Sequence, residues 1–248
     1  MKSKIQFNAN HLKLIAIIAM TIDHVADLIF PGFTTDPMSI VMHLIGRLTA
    51  PIMWFFICEG YYYTRSVKKY MLRMFVFAVI SHFAYCFAFG INPIPFSDGI
   101  FNQTSVIYPL FIAVAVLWLR NGNLNMNKWL KEIIIFVLIW TAFPADWSSI
   151  AVLAIIDMYQ KRGDLKGQIK AMLPWVFLYG VIAFFFVNQV YAMVLAGVIM
   201  VYPILNLYNG EKGKVPWMKW FFYIYYPLHL IIVGIIRILM YGNVPLLF

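Results

Sequence analysis

The sequence predicts an all-α fold: a polytopic integral membrane helical bundle of about nine transmembrane helices with a cytoplasmic N-terminus. Three observations predict it. The 248 residues are 63% hydrophobic and only 12% charged, where a soluble domain is about half apolar and a quarter charged. Apolar runs of about twenty residues, each long enough for a bilayer core of roughly 30 Å, recur along the whole chain. The basic residues gather in alternate loops, as the positive-inside rule demands of a chain threaded back and forth.

The first span, 10–30, follows Lys2 and Lys4 and begins like a signal peptide. No small-x-small cleavage site follows, and Asp23 and His24 interrupt the apolar stretch, so it reads as an uncleaved span. Spans 38–63, 67–90 and 104–120 come next. The short pair 129–143 and 146–160 is separated by Pro144 and Asp146. Asn188 and Gln189 divide 169–187 from 189–208, and 217–241 closes the series.

Arg65, Lys68, Lys69 and Arg73 follow the second span, and Arg120, Lys128 and Lys131 the fourth. Lys161, Arg162, Lys166 and Lys170 follow the sixth, and Lys212, Lys214 and Lys219 the eighth. The alternate loops 31–37, 91–103, 143–146 and 188–189 hold no Lys or Arg. Nine spans put every basic loop on one side, which the rule makes cytoplasmic; a count off by one scrambles the pattern. The net charge of +9 is therefore mostly topological, and a nucleic-acid partner is not expected. The even spread of apolar runs predicts one domain over 1–248, multi-pass in the plasma membrane, with the lipid bilayer as its surround. Cys58 and Cys86 fall inside apolar segments, so no disulfide framework is expected.

Charged side chains inside spans cost on the order of 2.5–3.5 kcal/mol each, so they are functional candidates. At 1.5 Å per residue, His24 falls in the outer half of its span, with Arg47 and His229 near the middle of theirs. Glu59 lies near the cytoplasmic end of the second span, and Arg237 nears the external face. His11 reads as interfacial, and His43 and His82 as packing or tunnel-lining residues. His24 and Asp27, three residues apart, share a face. Asp27 can then hold one ring nitrogen and leave the other as a base. Asp23 points about 100° away from His24, and Arg47 is its expected partner. His24, Arg47 and His229 are expected to meet from three helices. The plain alternative is a polar cluster that only fixes packing. No HExxH, CxxC, GxSxG or phosphate-loop spacing occurs, so no metal site is expected. The aromatic content reads as interfacial belt and lipid-facing bulk.

Four stretches carry a resemblance: "NANHLKLIAIIAMTIDHVADLIFP", "LIGRLTAPIMWFFICEGYYYTRS", "YMLRMFVFAVISHFAY" and the ending "LYNGEKGK" through "WFFYIYYPLHLII". With Asp23-His24, Gly46-Arg47 and Tyr226-Pro227-Leu228-His229 in that order, the chain resembles the TraX family. Those membrane proteins are associated with N-terminal acetylation of conjugative pilin and look related to the wider transmembrane acyltransferases. The resemblance implies an acyl-CoA-dependent acetyltransferase. Cytoplasmic acetyl-CoA would supply the acetyl group. The acceptor would be a peptide or pilin-like amine, or a glycan hydroxyl, at or beyond the outer face.

It further implies His24 as catalytic base or transient acyl carrier, with Asp23 and Arg47 in the same catalytic set. Arg65, Lys68, Arg73, Lys212 and Lys214 would hold the nucleotide end, with Tyr226 and His229 along the path of its arm. Glu59 and His82 would face the acceptor. The rival reading is a proton-coupled secondary transporter using the buried Asp, His and Arg cluster. Inverted repeats are not visible, and an odd number of spans fits a simple duplication poorly. A non-catalytic assembly protein accounts for the hydrophobicity but not for ionisable groups at depth.

Overall fold

Short polar side chains placed just before apolar runs start five of the helices, because they accept from N–H groups that the first turn leaves without carbonyl partners. Asn8 accepts from the N–H groups of Asn10 and His11 to open α1 (Ala9–Ile29). Asp36 does the same for α2 (Pro37–Gly46), with Pro37 at the first helical position. After α3 (Thr49–Tyr63), Ser66 caps α4 (Val67–Phe89), which stops at Gly90 with φ 71°. α5 (Ile107–Asn121) precedes α6 (Lys128–Thr141), which Asn127 caps, and α7 (Ser148–Gln160). α8 (Leu165–Phe186) leads to α9 (Gln189–Val194), capped by Asn188. A 3-10 segment (Leu195–Met200), α10 (Val201–Leu205) and α11 (Met218–Tyr241) complete the chain.

The computed structural model describes residues 6–32, 34–94, 97, 99–215 and 217–246. Lys2 and Lys4, which enter the orientation argument, lie outside the described residues, as does the side chain of Lys219. Among the described residues there is no strand, and two isolated bridges join Phe7 to Tyr208 and Thr104 to Ala145.

The expected all-helical architecture is present, with two helices broken where prolines require it. The span expected over 38–63 turns at Arg47 and Leu48, where the Leu48 N–H donates to the Ile45 carbonyl at 3.1 Å. Pro51 explains this: it has no N–H for the Arg47 carbonyl, and its ring crowds that oxygen. The span expected over 189–208 tightens into the 3-10 segment, whose Ile199 carbonyl faces the same problem from Pro203. α5 begins later than expected because Thr104 is taken up in its bridge to Ala145.

Packing divides the chain into two compact units, Met1–Met53 with Val176–Phe248, and Trp54–Trp175. In the first, α1 packs on α2 and α11, and α2 on α9 and the 3-10 segment. Leu12, Ala16, Ala19 and Ala26 form a buried stripe along α1 at helical spacing, and small residues there let helices approach closely. In the second unit, α5 packs on α4, α6 and α7 around Trp54, Val114, Ala151 and Ile155.

Among the described residues, four helices are long and apolar enough to cross a membrane: Pro37–Tyr63 (α2 with α3), Val67–Phe89, Leu165–Phe186 and Trp220–Tyr241. Phe177, Phe185, Phe186, Trp129 and Leu239 are each more than 70% exposed. Large apolar side chains on the outside at this density suit a lipid surround.

Candidate functional site

Asp23 lies four residues after Ala19 and three before Ala26, so it continues the buried stripe of α1. It meets two basic side chains from α2 and its C-terminal cap, His43 and Arg47, which are four residues apart and share a face. Nη2 of Arg47 donates to Oδ2 at 2.6 Å and to Oδ1 at 2.8 Å. Nδ1 of His43 lies 2.8 Å from Oδ1. Nε of Arg47 donates to the His43 carbonyl at 3.3 Å, and its Cζ stands 5.3 Å from the centre of the Tyr191 ring. Gly46 makes this approach possible, because a Cβ there would overlap the Asp23 carboxyl. His43 and Arg47 are buried, so the carboxylate is neutralised inside the unit.

His24, one residue on, faces α11. Its Nδ1 is 2.8 Å from Nε2 of His229. The two ring planes are within 2° of parallel. Nδ1 of His229 lies 3.0 Å from the carbonyl oxygen of Tyr225, and the Tyr225 ring stands 9° from parallel to the His229 ring. One turn earlier, the hydroxyls of Thr21 and Tyr225 meet at 2.7 Å. At the other end, the Tyr241 hydroxyl donates to the Leu28 carbonyl at 2.7 Å. Three polar rungs thus tie α1 to α11, and the middle one is a histidine pair.

The expected partnership of Asp23 with Arg47 is present, and so is the meeting of His24 with His229. Sequence reasoning offered Asp27 as the holder of His24; the structure gives Nδ1 of His24 to His229, while Asp27 Oδ1 lies 4.0 Å from Nε2 of His43. His43, read as packing, is instead part of the Asp23 clamp. Its place four residues before Arg47 was the available signal. Tyr226 is buried and meets the His229 ring edge-on, and buried Arg237 donates to the Val244 carbonyl at 2.6 Å.

Lys212 and Lys214 are exposed on a loop fastened to the start of α1. Phe7 N–H donates to the Leu207 carbonyl at 2.8 Å, Asn209 N–H to Phe7 at 2.9 Å, and Ala9 N–H to Glu211 at 2.7 Å. Gly213, at φ 84°, packs against Asn8 and Asn10.

The other candidates lie in the second unit. Glu59 is ion-paired with Arg162, Oε1 to Nε at 2.8 Å, and accepts from Nη2 through Oε2 at 3.1 Å. The Arg162 guanidinium also covers the Tyr62 ring, 3.5 Å from its centre. Burial works against the Arg162 charge, yet the bond and charge of Glu59 hold it above its ordinary value. His82 shares a hydrogen bond with the Thr104 hydroxyl at 3.0 Å and donates from Nε2 to the Pro93 carbonyl at 2.8 Å. Arg65 and Lys68 are exposed, and Arg73 is half-buried over the Tyr70 ring at 5.2 Å. Among the described residues, no group of three or more His, Cys, Asp or Glu side chains could hold a metal ion.

An imidazole hydrogen-bonded to a second imidazole, beside a carboxylate already matched to an arginine, is suited to accepting a proton or an acyl group. Comparison with known proteins bears on the choice. A family model described as TraX protein matches residues 8–237. The probable fimbrial assembly protein FimC, serogroup H1, of Dichelobacter nodosus is 31% identical over 242 residues, covering 93% of this chain and 96% of its own. No solved structure matches.

Proposed function

Since the chain belongs to the TraX family, we propose that it is a membrane-embedded acetyltransferase. It moves an acetyl group from cytoplasmic acetyl-CoA to an amine, such as a peptide N-terminus, or to a hydroxyl at or beyond the outer face. In this reading the chain is multi-pass in the cell membrane, with nine spans and a cytoplasmic N-terminus. The name of the Dichelobacter relative favours a subunit of a fimbria-like assembly as acceptor.

The observation that carries the proposal is the His24–His229 pair at 2.8 Å. His24 acts as general base or transient acyl carrier. Arg47 engages both carboxylate oxygens of Asp23, so that this carboxylate does not compete for the proton meant for His24. Lys212 and Lys214 at the head of α1, and Arg65, Lys68 and Arg73 in the second unit, are the candidates for the phosphates; the arginines suit bidentate contacts. A proton-coupled carrier remains the rival, and nothing in the family match favours it.

The test uses purified protein in lipid nanodiscs with acetyl-labelled acetyl-CoA. Binding and slow release of acetate are expected of the native protein, and both hydrolysis and transfer are lost in a folded His24→Ala variant. Undiminished acetyl transfer by that variant would remove His24 from the mechanism. A native protein that neither binds nor hydrolyses the thioester would point to a carrier.

A further inference from the structure

The hydrogen bonds around His24 fix where its ring protons are. A carbonyl oxygen only accepts, so the His229 nitrogen at 3.0 Å from the Tyr225 carbonyl, Nδ1, carries a hydrogen. Neutral His229 then presents a lone pair at Nε2. The nitrogen facing that lone pair at 2.8 Å is Nδ1 of His24, which must supply the hydrogen. The remaining nitrogen of His24, Nε2, therefore holds the lone pair. A neutral histidine in water prefers the opposite tautomer, with hydrogen on Nε2, so the two-bond chain from α11 inverts the usual arrangement.

From this we infer that Nε2 of His24 is the reacting atom and that His229 is a positioning residue that shares its proton, rather than a wall of the cofactor path. The role in transfer rests on the proposed acetyltransferase reading; the tautomer assignment does not. As base, His24 takes the acceptor's proton at Nε2 and passes its Nδ1 proton to Nε2 of His229. The acceptor's lone pair forms the new bond to the acyl carbon. As acyl carrier, Nε2 itself forms that bond, and loss of the Nδ1 proton to His229 leaves a neutral acyl-imidazole. In both routes the carbon–sulfur bond breaks with its electron pair on sulfur. In the base route the proton held by His229 returns through His24 to make the free thiol. In the carrier route the acceptor's lone pair then displaces Nε2 from the acyl carbon, the proton on His229 returns to Nδ1 of His24, and the acceptor's own proton makes the free thiol. Tyr225 keeps its hold on Nδ1 of His229 throughout, so His229 has one nitrogen to spare for the traffic.

The experiment combines histidine ring ¹⁵N NMR with kinetics on the full chain in nanodiscs. The His24 signals are identified by their loss in His24→Ala. In the native protein His24 is expected as the Nδ1–H tautomer. His229→Gln keeps an oxygen that accepts from Nδ1 but cannot take the proton. It is expected to retain the tautomer and an unchanged KM for acetyl-CoA while kcat falls at least tenfold. His229→Phe removes the acceptor and is expected to return His24 to Nε2–H. Native His24 found as Nε2–H, or a His229→Gln variant with undiminished kcat, would overturn the inference. An Nδ1–H tautomer in a protein that transfers no acetyl group would uphold the tautomer assignment and defeat the enzyme reading instead.

Discussion

Nη2 of Arg47 reaches both carboxylate oxygens of Asp23, at 2.6 and 2.8 Å. The pair sits where the second span turns, so the guanidinium is delivered by a break in the helix rather than by its regular surface. A buried pair of this kind is costly to leave half-made, because the surviving charge has no water to return to. Arg47→Ala and Asp23→Ala are each expected to lower stability by about 3–5 kcal/mol. The double variant should lose clearly less than the sum. Thermal unfolding in nanodiscs with a double-mutant cycle measures this, and additive losses would show that the pair is not coupled.

Gly46 is the second element of that junction. Helix propensity alone favours alanine over glycine by roughly 1 kcal/mol. At Gly46 a methyl group would overlap the Asp23 carboxyl, so Gly46→Ala should destabilise the protein and separate α1 from α2. Gly180 is the matched control, since a Cβ there would meet only the Ala192 carbonyl at 3.9 Å. Gly180→Ala should be neutral or slightly stabilising. Equal melting temperatures for the two variants would contradict the packing argument.

That the chain is helical throughout, and where several helices begin, was legible because apolar runs and Asn and Asp caps mark the same boundaries. Asp23 could be assigned to Arg47 because a carboxylate at depth requires a cation. What escaped was direction. Reading Leu12, Ala16, Ala19, Asp23 and Ala26 as one stripe would have aimed Asp23 at α2 and, about 100° round, His24 at another helix. The i, i+3 rule looked for the partner of His24 on its own helix and offered Asp27. His229 from α11, expected near His24 but not as the holder of its ring nitrogen, takes Nδ1 instead. Pro51 and Pro203 each stand four residues after a carbonyl they cannot serve, of Arg47 and Ile199, and the helix turns or tightens there, whereas α8 and α11 run on through Pro174 and Pro227.

Thr21 and Tyr225 form the rung one turn before the histidine pair, hydroxyl to hydroxyl at 2.7 Å. Losing one such bond costs about 1 kcal/mol of stability. Its larger effect should be on the alignment of His24 with His229, since both residues sit one turn further along the same two helices. Thr21→Val and Tyr225→Phe are therefore expected to melt within a few degrees of the native protein but to transfer acetyl several-fold more slowly. The double variant should be no slower than the worse single one. Steady-state kinetics beside thermal melts separate the effects, and full activity in both single variants would show that the histidine pair aligns without this rung.

Glu59 was expected to face an acceptor, and its geometry supplies a different expectation that can be tried. Its two oxygens are engaged by Nε and Nη2 of Arg162, at 2.8 and 3.1 Å, and both side chains are mostly buried. The guanidinium is further covered by Tyr62 at 3.5 Å, which adds a cation–π contact. A carboxylate so occupied works first as a fastener between α3 and the turn after α7. Charge-assisted hydrogen bonds of this kind contribute about 1.5–3 kcal/mol. Glu59→Gln and Arg162→Ala should each lower stability by about 2 kcal/mol, and together by little more than either alone. Arg162→Lys should recover only part, since an ammonium cannot make the paired contact. If Glu59→Gln left the melting temperature unchanged yet raised KM for the acceptor, the residue would belong to substrate recognition after all.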